Sequence, residues 1–378
     1  MKNAVIAGYA RSPFTLANKG EMAGFRPDDI AAQTLLGLIK KTGVNVNDIE
    51  DLILGCAFPE GEQGLNLARL VVQLAKLPQQ IGGATVNRFC GSSMQAVEIA
   101  AGSIVLNAGE VYLAAGVESM SRVPMTGFNP LPHPDLAVEL PGAYMGMGQT
   151  AENVAKKYKI SRSAQEEFAV RSQEKAAAAR AAGKFKDEII PITIDGVTVS
   201  QDGCIREGTT QQKLSELKPA FDEKGSVTAG TASPLTDGAA ATLVTSEDYA
   251  RKAGLKPLAR IKSFAICGCD PEIMGIGPVG ATKKALERAG LGVSDIDIIE
   301  LNEAFASQSI ACIRDLGLNE KKINLDGGAI ALGHPLGATG ARIAGKVAAL
   351  LQREGKKFGL ATQCIGGGQG IAMILEAL

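Results

Sequence analysis

Two stretches of this chain align without a gap. "LLGLIKKTGVNVNDIEDLIL" at 35–54 and "TKKALERAGLGVSDIDIIEL" at 282–301 share Gly43/Gly290, Val46/Val293, Asp48/Asp295, Ile49/Ile296 and Leu54/Leu301. The likeness continues: "GGATVNRFCGSSMQAVEIAAGSIVLNAGEVYLAAG" and "INLDGGAIALGHPLGATGARIAGKVAALLQREGKKFGLATQCIGG" both read strand, Gly-rich turn, helix, strand. A repeat of this kind in 378 residues constrains the fold to two equivalent halves packed as pseudo-symmetric mates. Their strand-to-helix turns are then expected to meet, which brings Cys90 of the first half near His334 of the second.

Strand-like and helical runs alternate: "NAVIAGYA", a helix over 28–42, "IEDLILG", a helix over 64–76, "GATVNRF", a helix over 91–107, then "VYLAAGVES". That alternation predicts an α/β domain with a mostly parallel sheet. Residues 121–149 are rich in Pro, Met and Gly, and "TAENVAKKYKISRSAQEEFAVRSQEKAAAARAAG" reads as one or two amphipathic helices. The expected organisation is a first half over 1–120, completed by about 236–256, an inserted loop domain over 121–235, and a second half over 257–378.

Composition removes several function classes. The 39 basic residues against 40 acidic ones argue against nucleic-acid binding or a polybasic membrane surface. No apolar run reaches transmembrane length, and "MKNAVIAGYARSPF" is neither a signal nor a transit peptide. Seven cysteines in no disulfide-like framework point to a reducing, cytoplasmic setting. Cys267 and Cys269 form C-x-C without a second ligand pair, so no metal site is expected.

The thiols then have to be weighed as chemists. Cys90 in "VNRFCGSSMQA" falls between a strand and a helix, where the helix dipole is expected to lower its pKa and favour a thiolate; a buried structural thiol is the alternative. His334 is one of only two histidines, and its turn matches no phosphate-loop pattern, while activating a thiol does need a base. His133 in "PLPHPD" reads as a surface residue. Asn302 in "IIELNEAFA" stands at a strand end, where it either orients an imidazole or water, or caps the next helix. Cys364 precedes Gly366–Gly368, and this turn lets a backbone N–H point at a reacting oxygen, or is only a tight turn.

Taken together, "NRFCGSSMQA", "NEAFA", "GGAIALGHPLGATGAR" and "QCIGGGQG", in this order, closely resemble the thiolase family over essentially the whole chain. The resemblance implies the thiolase fold, an α/β architecture of two βαβαβαββ halves in α-β-α-β-α layers with an inserted loop domain. It implies an acetyl-CoA C-acyltransferase: thiolytic cleavage of 3-ketoacyl-CoA with coenzyme A, or the reverse Claisen condensation. By motif, Cys90 matches the acylated nucleophile, His334 its base, and Cys364 the acid/base thiol. Asn302 matches the holder of an oxyanion-hole water, and the N–H groups of Cys90 and Gly366 match a second hole. Ser233, Met147 and Arg206 resemble positions lining a CoA channel. Coenzyme A and acetyl-CoA enter as substrates, with no permanently bound cofactor.

Within the family, "NRFCGSSMQA" is nearer the β-oxidation branch, and Gly146 stands where short-chain synthetic members carry a histidine. The insert is also shorter than theirs. The implied assembly is a homodimer, with tetramerisation and a β-oxidation partner subunit left open. Competing readings are a biosynthetic acetoacetyl-CoA thiolase, a decarboxylating ketoacyl synthase, which would lack the second cysteine, and a cysteine protease, which would need none. A non-catalytic lipid-binding relative would not keep four reactive positions.

Overall fold

In a computed structural model, which describes residues 2–378, the internal repeat becomes a repeat of topology. The first half orders its strands Gly82–Val86, Asp51–Gly55, Val111–Ser119, Thr236–Ser246 and Ala4–Arg11. The second orders Ile298–Leu301, Phe358–Ile365, Gln369–Ala377 and Ala259–Gly268 in the same sense. In each half the strand that follows the repeated helix pairs in parallel with its neighbour, and the later strands pair antiparallel. The halves join where Ala4–Arg11 meets Ala259–Gly268 through Val5/Arg260 and Ile6/Ala259.

The aligned sequences explain the local match. The helices Pro27–Thr42 and Gly277–Ala289 both stop at a glycine in the left-handed region, Gly43 at φ 70° and Gly290 at φ 67°, a conformation that a side chain disfavours. A short turn follows each, Val46–Asp48 and Val293–Asp295, and then a strand. Ile49 and Ile296 bury at the same step, as do Leu54 and Leu301.

Five layers result. The helices Ser92–Val105 and Thr339–Arg353 lie between the half-sheets, where Met94, Val97 and Ile104 share one core with Ile343, Val347 and Leu351 and with strand residues of both halves. Pro27–Thr42 and Leu67–Leu74 cover one outer face, and Gly277–Ala289 and Ala306–Leu316 cover the other. One expected strand is missing from the second half: "INLDGG" forms only the bridge Ile299/Ile323 before turning into the short helix Ala329–Leu332. Asn324 there holds φ 45° and donates to the Leu301 carbonyl at 2.9 Å, so the chain turns under the sheet edge instead of extending it.

Between the two blocks run the helices Met147–Lys157 and Arg162–Ala181, two where the sequence allowed one or two. Buried ion pairs fasten this segment to both halves: Arg11 meets Glu188 at 2.9 Å and Asp202 at 2.6 Å, and Lys346 meets Glu188 at 2.8 Å. Among the described residues, no helix is long and apolar enough to cross a membrane.

Candidate active site

Strain presents Cys90. The preceding Phe89 sits at φ 43°, a region that non-glycine residues rarely occupy. Three hydrogen bonds hold it there: Phe89 N donates to Asn87 Oδ1 at 2.8 Å, Arg88 N donates to Ser92 Oγ at 2.9 Å, and that hydroxyl donates to Phe89 O at 2.6 Å. Cys90 therefore stands just ahead of the helix Ser92–Val105, capped by Gly91. It packs among Ala17, Ala57, Met120 and Leu336, with Phe58 beside them. Gly91 has no room for a side chain, since a Cβ would lie 2.6 Å from Ile365 Cδ1.

The C-terminal hairpin closes over this cysteine. Gln363 Nε2 donates to the Cys90 carbonyl, and Arg88 Nη1 donates to Gln369 Oε1 at 2.8 Å. The turn after Cys364 needs Gly367 at φ 77° and Gly368 at φ 85°, and it aims the Gly366 N–H at the Cys90 sulfur. Charge on Cys90 reaches the Cys364 thiol, whose pKa burial raises first and that charge second. Cys364 is buried against Met147, Ala151, Met274, Ala304 and Phe305. Ser233 is held at the same wall, its N–H donating to Ala304 O at 2.9 Å.

His334 arrives from the opposite side. Gly333, at φ 99°, turns the chain, and His334 N donates to Thr236 Oγ1 at 3.0 Å. The ring Nδ1 is 2.6 Å from Thr339 Oγ1, and that hydroxyl donates to Pro335 O at 3.1 Å. With its proton so used, Thr339 accepts from Nδ1–H, and this network assigns the bare lone pair to Nε2. Asn302 Nδ2 approaches Nε2 at 3.4 Å. The capping alternative for Asn302 fails: the helix Ala306–Leu316 is capped at Phe305. Asn302 Oδ1 is buried with no protein partner, and an amide oxygen so placed can hold a water.

One expectation is overturned. The helix N-terminus was to make Cys90 a thiolate, yet burial pushes its thiol up to about 12, with the Glu118 carboxylate adding to the rise. The N–H groups of Gly366 and of Cys90 itself oppose this, more weakly. Burial, and secondarily the charge on Arg342, hold His334 down to about 3. The resting pair is a neutral thiol and a neutral imidazole, because desolvation outweighs the dipole.

The family assignment rests on the whole chain. The thiolase N-terminal domain matches residues 4–248, and the thiolase C-terminal domain matches residues 255–377. The chain belongs to the thiolase family. This thiolase is 48% identical to the 3-ketoacyl-CoA thiolase of Bacillus subtilis over 389 residues, all of both chains. It is 49% identical over 386 residues to that of Vibrio cholerae, again with complete coverage of both. Among solved structures, the Bacillus anthracis acetyl-CoA acetyltransferase superposes with a TM-score of 0.93 at 40% identity, covering 100% of this chain and 99% of that one. The human mitochondrial 3-ketoacyl-CoA thiolase in complex with CoA gives 0.92 at 38% identity, covering 100% and 98%. The fold is therefore the thiolase fold.

Sequence reasoning passed over one residue of this region. Glu118, at the end of Val111–Ser119, accepts from Ala57 N at 2.8 Å, Phe58 N at 3.2 Å, Gln63 Nε2 at 2.9 Å and Gly337 N at 2.9 Å. One carboxylate thus ties the wall beside Cys90 to the turn carrying His334. An acid closing the apolar run "VYLAAGVES" was the available signal. Arg206 is an exposed residue near Cys204, and its N–H donates to Gln173 Oε1 at 2.8 Å. The neighbouring Cys204 backs Gly333.

Proposed function

We propose that this thiolase cleaves 3-ketoacyl-CoA with coenzyme A, giving acetyl-CoA and a shortened acyl-CoA through an acyl-Cys90 intermediate. His334 Nε2 takes the Cys90 proton, and the sulfur attacks the ketone carbon. The bond between the α- and β-carbons then breaks, and the departing enolate takes its proton from Cys364. The proton on His334 passes to the Cys364 thiolate before coenzyme A binds. In the second half, His334 takes the coenzyme A proton, that thiolate attacks acyl-Cys90, and Cys90 recovers the proton from His334. Charge develops twice, at the Gly366 and Cys90 N–H groups and at His334 with an Asn302-held water, each donor being worth roughly 3–4 kcal/mol.

The observation that carries this reading is the packing of the Cys364 strand on the Cys90 turn. Gln363 donates to the Cys90 carbonyl, Ile365 packs on Gly91, and the Gly366 N–H faces the Cys90 sulfur; a second thiol on that strand suits carbon–carbon cleavage and has no use in peptide hydrolysis or decarboxylative condensation. Met147 and Ser233 fit a channel for the pantetheine arm, since both flank the Cys364 wall; Arg206 is assigned to its outer, solvent-facing end.

The same proposal includes a degradative, β-oxidation role in the cytoplasm, with the domain division drawn from the sequence. It includes a homodimer, supported by Gly82–Val86, a half-buried sheet edge paired on one side only. Leu131 and Val138, 83% and 82% exposed in the inserted segment, offer apolar surface for a partner subunit. Thiolysis rates from short to long 3-ketoacyl chains, measured beside acetyl-CoA condensation, test the activity. Wild-type turnover by Cys90→Ala would refute the assigned nucleophile, and condensation outrunning thiolysis would favour the biosynthetic alternative.

A further inference from the structure

Behind His334 lies a buried charge pair that the reaction above leaves unused. Arg342 Nη1 and Glu300 Oε2 are 2.8 Å apart, with both side chains almost fully buried. The pair is incompletely satisfied. Glu300 Oε1, Arg342 Nε and Nη2, and the Tyr9 hydroxyl are all buried without hydrogen-bond partners. They share one neighbourhood, since the Tyr9 hydroxyl feels the charges of both Arg342 and Glu300. In this low-dielectric interior, charges with idle donors and acceptors are weakly screened and act on their neighbours.

The pair is linked to the base through two neighbours. Glu300 stands two residues before Asn302 on Ile298–Leu301 and its extension, so both side chains leave the same face. Asn302 touches His334 Nε2. Arg342 lies one turn beyond Thr339, the residue that holds Nδ1. Its charge is what depresses His334 after burial.

We propose that the Glu300–Arg342 pair is a positioning unit that sets the basicity of His334 through Asn302 and Thr339. The inference rests on the assignment of His334 as base. Arg342 disfavours an imidazolium; ionised Glu300, 2.8 Å from Arg342, would offset that charge at its source. The titratable and charged groups around the pair enter this balance: neutral Tyr9 and cationic Arg11 from the first strand, Glu188 from the inserted segment, Asp326 ahead of the His334 turn, and Lys346 on the helix of Arg342. Burial raises Glu300 to about 7, opposed by Arg342 and Lys346 and helped by Asp326 and Glu188. Below that pH the carboxyl is neutral and Arg342 acts unopposed; above it the charges cancel. Turnover should rise as pH climbs through this range, where neither His334, at about 3, nor Cys90, at about 12, changes charge.

The test is kcat/KM for a 3-ketoacyl-CoA at saturating coenzyme A, from about pH 5.5 to about pH 9. The wild type should show an acid limb near 7. Glu300→Gln should abolish that limb and lower the plateau about tenfold. Arg342→Gln should move the limb to higher pH, and the double variant should return the plateau to within about threefold of wild type, without a limb. A folded Glu300→Gln that keeps the wild-type limb overturns the proposal, as does a double variant no faster than Glu300→Gln. These two readings decide it even where Arg342→Gln alone does not fold. His334→Gln in the same assay separates the levels: wild-type turnover there would refute the base assignment itself, whereas an inactive His334→Gln with an unmoved Glu300→Gln limb sinks only the role given to the pair.

Discussion

Gly340 and Met94 touch backbone to backbone: a Cβ on Gly340 would overlap the Met94 amide nitrogen. Here the two central helices, one from each half, are in close contact. Next to this contact Ala341 N donates to Ser93 Oγ at 2.8 Å. A methyl group would force the helices apart, and with them the turns bearing Cys90 and His334. Gly340→Ala should therefore destabilise the protein by about 2–3 kcal/mol, read as a lower denaturant midpoint with an unchanged m-value. A midpoint equal to wild type would show that the helices separate without cost.

The burial of Cys90 makes a prediction opposite to that of a preformed thiolate. With the thiol at about 12, only its deprotonated form reacts, so alkylation by iodoacetamide should keep accelerating as pH rises to about 9, roughly tenfold per pH unit. A rate that levels off below neutrality would mean that the dipole prevails over desolvation.

Thr339 acts on the reaction through the imidazole alone. Thr339→Val removes the acceptor for Nδ1–H, 2.6 Å away, and keeps the shape. The ring is then free to take the wrong tautomer. The expected result is a fall of about tenfold to a hundredfold in kcat, with KM for acetoacetyl-CoA nearly unchanged. Steady-state kinetics check this, and an equal rise in KM would point to a packing role.

Glu118→Gln tests the clamp between the halves. The amide would turn an NH2 group toward at least one N–H donor among those of Ala57, Phe58 and Gly337. Leaving buried donors unpaired should cost about 2–3 kcal/mol in thermal or denaturant unfolding, together with a loss of turnover. Wild-type stability would show that the turns hold their places without the carboxylate.

The two-half architecture was legible because glycine and aliphatic positions recur: Gly43 and Gly290 stop equivalent helices, and Ile49 and Ile296 bury at equivalent steps. Cys90, His334 and Cys364 stood out as candidates because short motifs carry them. The edge at Ile323 was misread, since a local apolar pattern cannot reveal that Asn324 bends the chain away. Glu118 left only the faint mark of an acid ending an apolar run, and Thr339 and the Glu300–Arg342 pair left none. Each acts on a partner distant in the chain or in another layer, and no periodicity marks that.

By itself, then, the amino-acid order determined the duplicated topology and which side chains carry reactive groups, since both depend on local pattern and side-chain identity. Only the folded molecule decided their protonation states and orientations. Those depend on how much water is removed and which groups remain nearby: desolvation raises the Cys90 thiol against its helix dipole, and His334 is buried with Thr339 at Nδ1, Asn302 at Nε2 and the charge of Arg342 acting on it.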